Sequence, residues 1–341
     1  MKETIKKQVK KVRARRDAFL ARRPHRSFKM TRRRDYTRSL QLPGYIALTL
    51  EIFNILKANK KTFIFLALFY AFFSFVLVGL ASQDSYAALT DELKRSGTQV
   101  FQGNFAQLSQ AGLLLVTVVS GSSLQTLQAQ QQVFVVLLGL LAWLTTVWLL
   151  RNIMAGHKVK LRDGLYNAGS PIVSTFFVFC ILVIQLLPIA LAVIGYLAAT
   201  QSQLISGGGI AAALFWAAAA GLGLLSIYLF TTTLIALVIV TQPGMYPLKA
   251  MRIAGDMVTG RRIRILLRWL WMFLGVIITW FVVMIPFILL DSVIKSTWPV
   301  VRWLPIIPVT LLLLSAATIV WIASYVYVLY RKVLADGAAS A

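Results

Sequence analysis

Six long apolar runs, none with a charge near its middle, constrain this chain more than any other feature. They cover approximately residues 62–81, 133–150, 171–197, 210–240, 266–290 and 304–330. A helix crossing the roughly 30 Å hydrocarbon core of a bilayer needs about 20 mostly apolar residues. Backbone polar groups in lipid must be satisfied inside the spanning structure, so only helices or closed barrels qualify. The runs are continuous rather than alternating, which selects helices. The expected fold class is therefore all-α, a polytopic membrane bundle of six transmembrane helices. Composition agrees: 58% of residues are hydrophobic and 13% charged, where soluble domains carry about 25% charged residues. One cysteine cannot close an intramolecular disulfide, and two histidines fall short of the common zinc sites. No cofactor or metal is expected.

The charge balance predicts the orientation. With the N-terminus inside, 31 of the 35 lysines and arginines fall on the cytoplasmic side, and the whole net charge of +24 lies there. Only Lys94, Arg95, Lys295 and Arg302 fall outside. Basic loops stay cytoplasmic, so both termini are placed inside, in a multi-pass cell-membrane protein. Reading 111–127 as a seventh span would change the split to 21 and 14. The six-span reading is therefore preferred, with 82–131 as an outer segment. The first apolar run begins near residue 62 after a long basic region, which argues against a secretory signal peptide. Trp269 and Trp271, with Tyr325, Tyr327 and Tyr330, are expected as aromatic belts at the inner ends of spans five and six.

The inner loops share a pattern. YIALTLEIFNILKANKK (45–61) precedes span one, VKLRDGLYNAG (159–169) span three, and YPLKAMRIAGDMVTGRRIRI (246–265) span five. In the last, Leu248, Met251, Ala254 and Val258 recur at helical spacing, while Lys249, Arg252 and Asp256 face elsewhere. The chain therefore divides into three units, each an interfacial helix followed by a helical hairpin. Flanking them are a basic disordered cytoplasmic tail over 1–40 and a flexible C-terminal tail over 333–341, with the membrane domain at 41–332.

The segment PGMYPLKAMRIAGDMVTGRRIRILL, through Ala250, Ala254, Gly260, Arg261 and Arg262, resembles a signature of multi-span bacterial membrane families. Among them is the membrane domain attached to some glycerophosphoryl diester phosphodiesterases. LTLEIFNILKANKKTFIFLALFYA is similar to the beginning of the same domain. The resemblance covers about 45–330 and implies a six-helix membrane domain. The phosphodiesterase activity of those proteins belongs to a separate soluble domain with no counterpart here, so no activity is implied.

Catalysis needs convergent nucleophilic or titratable groups, and few exist. His157 reads as a solvated loop residue and Cys180 as a core residue of span three. No HExxH, GxSxG, Walker-A or CxxC pattern occurs. Coupled transporters usually keep an ionisable group inside the membrane, and these runs hold only mild polar groups. Gln185, just before Pro188, is expected to hydrogen-bond between helices, and Thr231–Thr233 to bond back to their own helix. Ala213, Ala217 and Gly221 recur every fourth residue and predict close helix packing, within the chain or with a second copy.

The strongest binding signal is positive charge. Residues 1–40 hold 16 lysines and arginines against three acids. They include Lys6, Lys7, Lys10, Lys11, Arg15, Arg16, Arg32, Arg33 and Arg34. Arg261, Arg262 and Arg264 form a second cluster before span five. Anionic lipid headgroups are the first candidate partner, since each surface cation contributes about 1 kcal/mol there. RNA or the ribosome, or an acidic protein, are the others, with a homo-oligomer open through the small-residue seam. The expectation is a non-enzymatic integral membrane protein with a basic cytoplasmic face. The alternative is a transporter or permease component for a neutral or lipidic substrate.

Overall fold

The computed structural model describes residues 42–78, 129–201, 209–298 and 304–339. The basic tail with Lys6 to Arg34, most of the outer segment 82–131, and Arg302 lie outside the described residues. Nine helices are found among them: α1 Tyr45–Ala58, α2 Lys60–Val78, α3 Ala129–Met154, α4 Leu161–Ala168, α5 Ile172–Gln201, α6 Gly209–Ile239, α7 Pro247–Val258, α8 Arg262–Thr297 and α9 Ile306–Ala339. Helices α2, α3, α5, α6, α8 and α9 are long and apolar enough to cross a membrane. They correspond to the six expected runs. At 31 residues, α6 extends about 46 Å, half as long again as a hydrocarbon core.

The expected three-unit order is present. Short helices α1, α4 and α7 precede hairpins α2–α3, α5–α6 and α8–α9, and the two arms of each hairpin pack together. The short helices also follow a cyclic rule: α4 lies on α3, α7 on α6, and α1 on α9. Each therefore rests on the second arm of the preceding hairpin, the last hairpin closing onto the first short helix. Those second arms form the centre. Leu234–Ile239 of α6 with the following Val240, and Ser324–Tyr330 of α9, are buried on every side, as are Leu149 and Leu150 of α3. The first arms stay peripheral and expose many large apolar side chains, among them Phe65, Phe72, Ile184, Leu191 and Val282. An apolar exterior of this kind suits lipid rather than water.

Local chemistry explains the joints. Gly156 (φ 85°) and Gly244 (φ 72°) make the turns from α3 toward α4 and from α6 toward α7, in a region that L side chains rarely adopt. Pro247 starts α7 at the first helical position, where its missing N–H costs nothing. Gly164 sits inside the eight-residue α4, an unfavourable place by propensity. A Cβ there would come within 3.0 Å of Leu149 and 3.3 Å of Thr145, so the glycine lets α4 lie flat on α3.

Several polar groups inside the bundle are paired between or within helices, whereas the buried Trp269 Nε1 and Tyr325 hydroxyl have no hydrogen-bond partner among the described residues. Thr145 donates to the Leu141 carbonyl at 2.7 Å, so its single hydroxyl proton is engaged and Tyr70 donates to it at 2.9 Å, joining α2 to α3. The expected Gln185 bond forms: Thr233 of α6 donates to its Oε1. One turn along, beside Pro188, the Ile189 N–H donates to Ser226 Oγ at 3.1 Å. Ser226 and Thr233 are two turns apart on one face of α6, and they bind the proline-interrupted stretch of α5 from both sides. Thr231 bonds back to the Ile227 carbonyl, as expected.

Several expectations need correction. Tyr325, Tyr327 and Tyr330 are no interfacial belt; all three are buried, Tyr330 accepting a 2.7 Å hydrogen bond from Gln242. Trp269 is buried too, 6.0 Å from the Phe230 ring in an edge-on arrangement, whereas Trp271 is exposed. Ala213, Ala217 and Gly221 make no seam within this chain. They are exposed, and α6 turns Ala212, Phe215 and Ser226 inward instead. In α7 the inward face is Ala250, Ala254 and Val258, while Leu248 points out. Residues 333–339, expected to begin a flexible tail, continue α9, with Val333 buried.

Candidate functional site: the basic end of the bundle

The ends of α3, α6 and α9 meet the short helices at one end of the bundle. Arg151 donates from both terminal nitrogens to the Thr241 carbonyl at 3.2 Å. Lys332 of α9 pairs with Glu51 of α1 at 2.7 Å. Every described lysine and arginine except Lys295 lies at this end or within two helical turns of it. Lys295 belongs to the opposite end, where it pairs with Asp291 at 2.8 Å.

Most cations of the basic end fall into two groups. Lys57, Lys60, Lys61, Lys158, Lys160, Arg162, Lys249, Arg252 and Arg264 are exposed, distributed over or beside all three short helices. Arg151, Arg261 and Arg268 turn inward or run along the protein surface as ties. Arg261, expected in a surface cluster with Arg262 and Arg264, is buried. It donates to Asp336 at 2.6 Å and to the Val333 carbonyl at 3.1 Å, clamping the start of α8 to the end of α9. Arg262 lies over the Tyr228 ring, 3.5 Å from its centroid, and donates to the Tyr228 carbonyl. Only Arg264 of the three presents an exposed side chain. Adjacent helical residues point in different directions, so a run of arginines in sequence is not a patch in space.

Arg268 anchors the segment before α1. It is buried, donating to the Pro43 carbonyl at 2.6 Å and the Arg264 carbonyl at 2.9 Å, with the Tyr45 ring centroid 5.4 Å away. Its described hydrogen bonds go to carbonyls and none to a carboxylate, so it leaves a fixed positive charge where α1 meets α8. His157 is exposed and Cys180 half-buried in α5; neither has a nucleophile or base beside it among its described contacts.

Sequence reasoning missed a lateral cleft beside this end. Helices α2 and α8 both pack on α9, and between them lies a cavity of about 670 Å³. Helix α1 crosses its basic end, where Trp271 Nε1 donates to Thr49 Oγ1 at 3.1 Å. Lys57 and Lys60 stand at its rim and the rest of the lining is mainly apolar. A second cavity of about 620 Å³ follows α9 toward the opposite end, sharing Leu314 and Ala317 with the first. The available signals were faint: Gly275 alone in a bulky apolar run, and two lysines three positions apart.

No protein-family model, curated protein or solved structure matches this chain.

Proposed function

We propose that this is a non-enzymatic integral membrane protein whose basic end faces the cytoplasm and engages anionic lipid headgroups. The observation that carries the reading is the segregation of charge. Three short helices gather at one end of an apolar bundle, and nine exposed lysines and arginines on or beside them stand against Glu51, Asp163 and Asp256. Such helices bind anionic interfaces through apolar contact plus attraction of about 1 kcal/mol per cation. Transport of a neutral substrate has less support: Gln185 and Thr233 bond to each other, and Thr231 to its own helix.

The test is reconstitution of the full chain in mixed phosphatidylglycerol and phosphatidylcholine bilayers, followed by measurement of lipid at the protein boundary with spin-labelled analogues. We expect phosphatidylglycerol to be enriched about threefold or more at low salt. Enrichment should collapse toward the bulk ratio near 1 M salt, where the screening length is about 3 Å. A boundary ratio equal to the bulk ratio at low salt contradicts the proposal. Recovery of an acidic protein on the same face, by crosslinking in native membranes, would favour a protein partner instead.

A further inference from the structure

We propose that the cleft between α2 and α8 binds one anionic glycerophospholipid, its phosphate at Lys57 and Lys60 and one acyl chain along α9. This rests on the reading of the basic end as a lipid-facing surface and assigns it one defined site. Size comes first. The cavity of about 670 Å³ falls within the roughly 300–1,000 Å³ of sites that hold one small molecule. Shape comes second. Phe63 and Ile64 of α2 form one wall, Gly275 and Val276 of α8 the other, with Val320 and Trp321 of α9 behind. Together the two cavities follow α9 from Tyr325 to Ile306, a track of about 29 Å by helical rise, close to one hydrocarbon core. The cleft is open on the side that would face the bilayer, so a lipid enters without crossing the protein.

Charge selects the headgroup. Lys57 and Lys60 are exposed at the junction of α1 and α2, on the rim of the basic end of the cavity. Behind that end lies the buried Arg268 under the Tyr45 ring, which itself packs 6.0 Å from Trp271. No aspartate or glutamate lines the cleft among the described residues. A zwitterionic headgroup would set its own cation against these lysines, whereas a headgroup with net negative charge would not. Trp271 and Thr49 lie at the depth where the glycerol region of such a lipid would sit, apolar surface on one side and hydrogen-bonding groups on the other.

Gly275 makes the proposal testable. A Cβ added there meets nothing within 4 Å, and Gly275 lines the cleft, so a larger side chain at this position starts from open space. The full chain, purified in detergent, is titrated with phosphatidylglycerol or phosphatidylcholine and examined by native mass spectrometry. We expect one tightly held phosphatidylglycerol per chain, bound about tenfold or more above phosphatidylcholine, the ratio two surface cations supply. Lys57→Gln with Lys60→Gln should bring phosphatidylglycerol down to the level of phosphatidylcholine. Gly275→Phe, and independently Ala317→Phe, should remove the tight lipid of either kind while leaving the melting temperature within a few degrees of wild type. A phosphatidylglycerol with a photoreactive acyl chain should crosslink to wild type at Phe63–Ala67 or Gly275–Thr279, a readout that needs no variant to fold.

Wild-type phosphatidylglycerol affinity in both folded phenylalanine variants would overturn the site, as would crosslinks confined to other helices. Retained headgroup preference in the lysine double variant would overturn the assignment of the phosphate. Boundary enrichment of anionic lipid can persist in either case, so failure of the cleft is distinguishable from failure of the broader proposal.

Discussion

Replacing Arg261 with methionine should destabilise the bundle by about 3–5 kcal/mol, because it breaks a buried ion pair by removing one partner. The side chains of Arg261 and Asp336 are 2% and 6% exposed, with 2.6 Å between them. The same guanidinium satisfies the Val333 carbonyl. Removing it takes this cation from Asp336, leaves the Val333 carbonyl without its donor and loosens the start of α8 from the end of α9. The paired substitution Arg261→Met with Asp336→Leu should recover most of the loss, since desolvation of a buried ion pair offsets much of its attraction. Thermal unfolding in detergent, followed by tryptophan fluorescence, measures both. A single variant costing under about 1 kcal/mol would place Arg261 at the surface with other exposed cations.

Trp269→Ala should cost about 3–5 kcal/mol, as loss of a buried aromatic core side chain does, while Trp271→Ala should cost about 1 kcal/mol or less. The two residues are two positions apart in the same apolar helix, about 200° around its axis, and have opposite environments. Trp269 is 1% exposed and packs edge-on with Phe230; Trp271 is 38% exposed and loses one hydrogen bond to Thr49. The same melting experiment compares them, and equal effects would mean that α8 is rotated from the orientation described.

These two variants mark where sequence reading succeeds and where it stops. Transfer to lipid is set by the summed hydropathy of some 20 residues, so all six spans were legible. The helical periodicity of 159–169 and 246–265 was legible too, because those segments interleave apolar with charged residues, whereas 45–58 is apolar on exposed sides as well, through Ile46, Leu50 and Phe53. Rotation of a spanning helix was not. Apolar and aromatic side chains suit both lipid and a protein core, so Tyr325, Tyr327 and Tyr330 carried no sign of facing inward. Ala213, Ala217 and Gly221 have the spacing of a packing seam, yet α6 pairs through Ala212 and Ser226 because Ser226 answers the N–H beside Pro188.

The charged site divides the same way. Net charge and the gathering of the described cations at one end of the bundle followed from counting residues, whereas the separate fates of Arg261, Arg262 and Arg264 depend on Asp336 and Tyr228, distant in sequence. Asp336 offered a hint as a lone acid in the stretch RKVLADG that follows span six. The cleft left almost no trace, since it is made by what two helices fail to contact. Gly275 is compatible with many roles until its neighbours are known.

We propose a six-span protein with its basic helices gathered on the cytoplasmic side. Cysteine accessibility tests it most directly. Cys180→Ala removes the one native thiol, and single cysteines then replace Arg162, Arg252 and Thr297 in turn. Arg162 and Arg252 are exposed at the basic end and Thr297 at the other. With a membrane-impermeant maleimide, Thr297→Cys should label in intact cells, and Arg162→Cys and Arg252→Cys only after permeabilisation. Labelling of Arg162→Cys or Arg252→Cys in intact cells, or protection of all three alike before and after permeabilisation, would contradict the account.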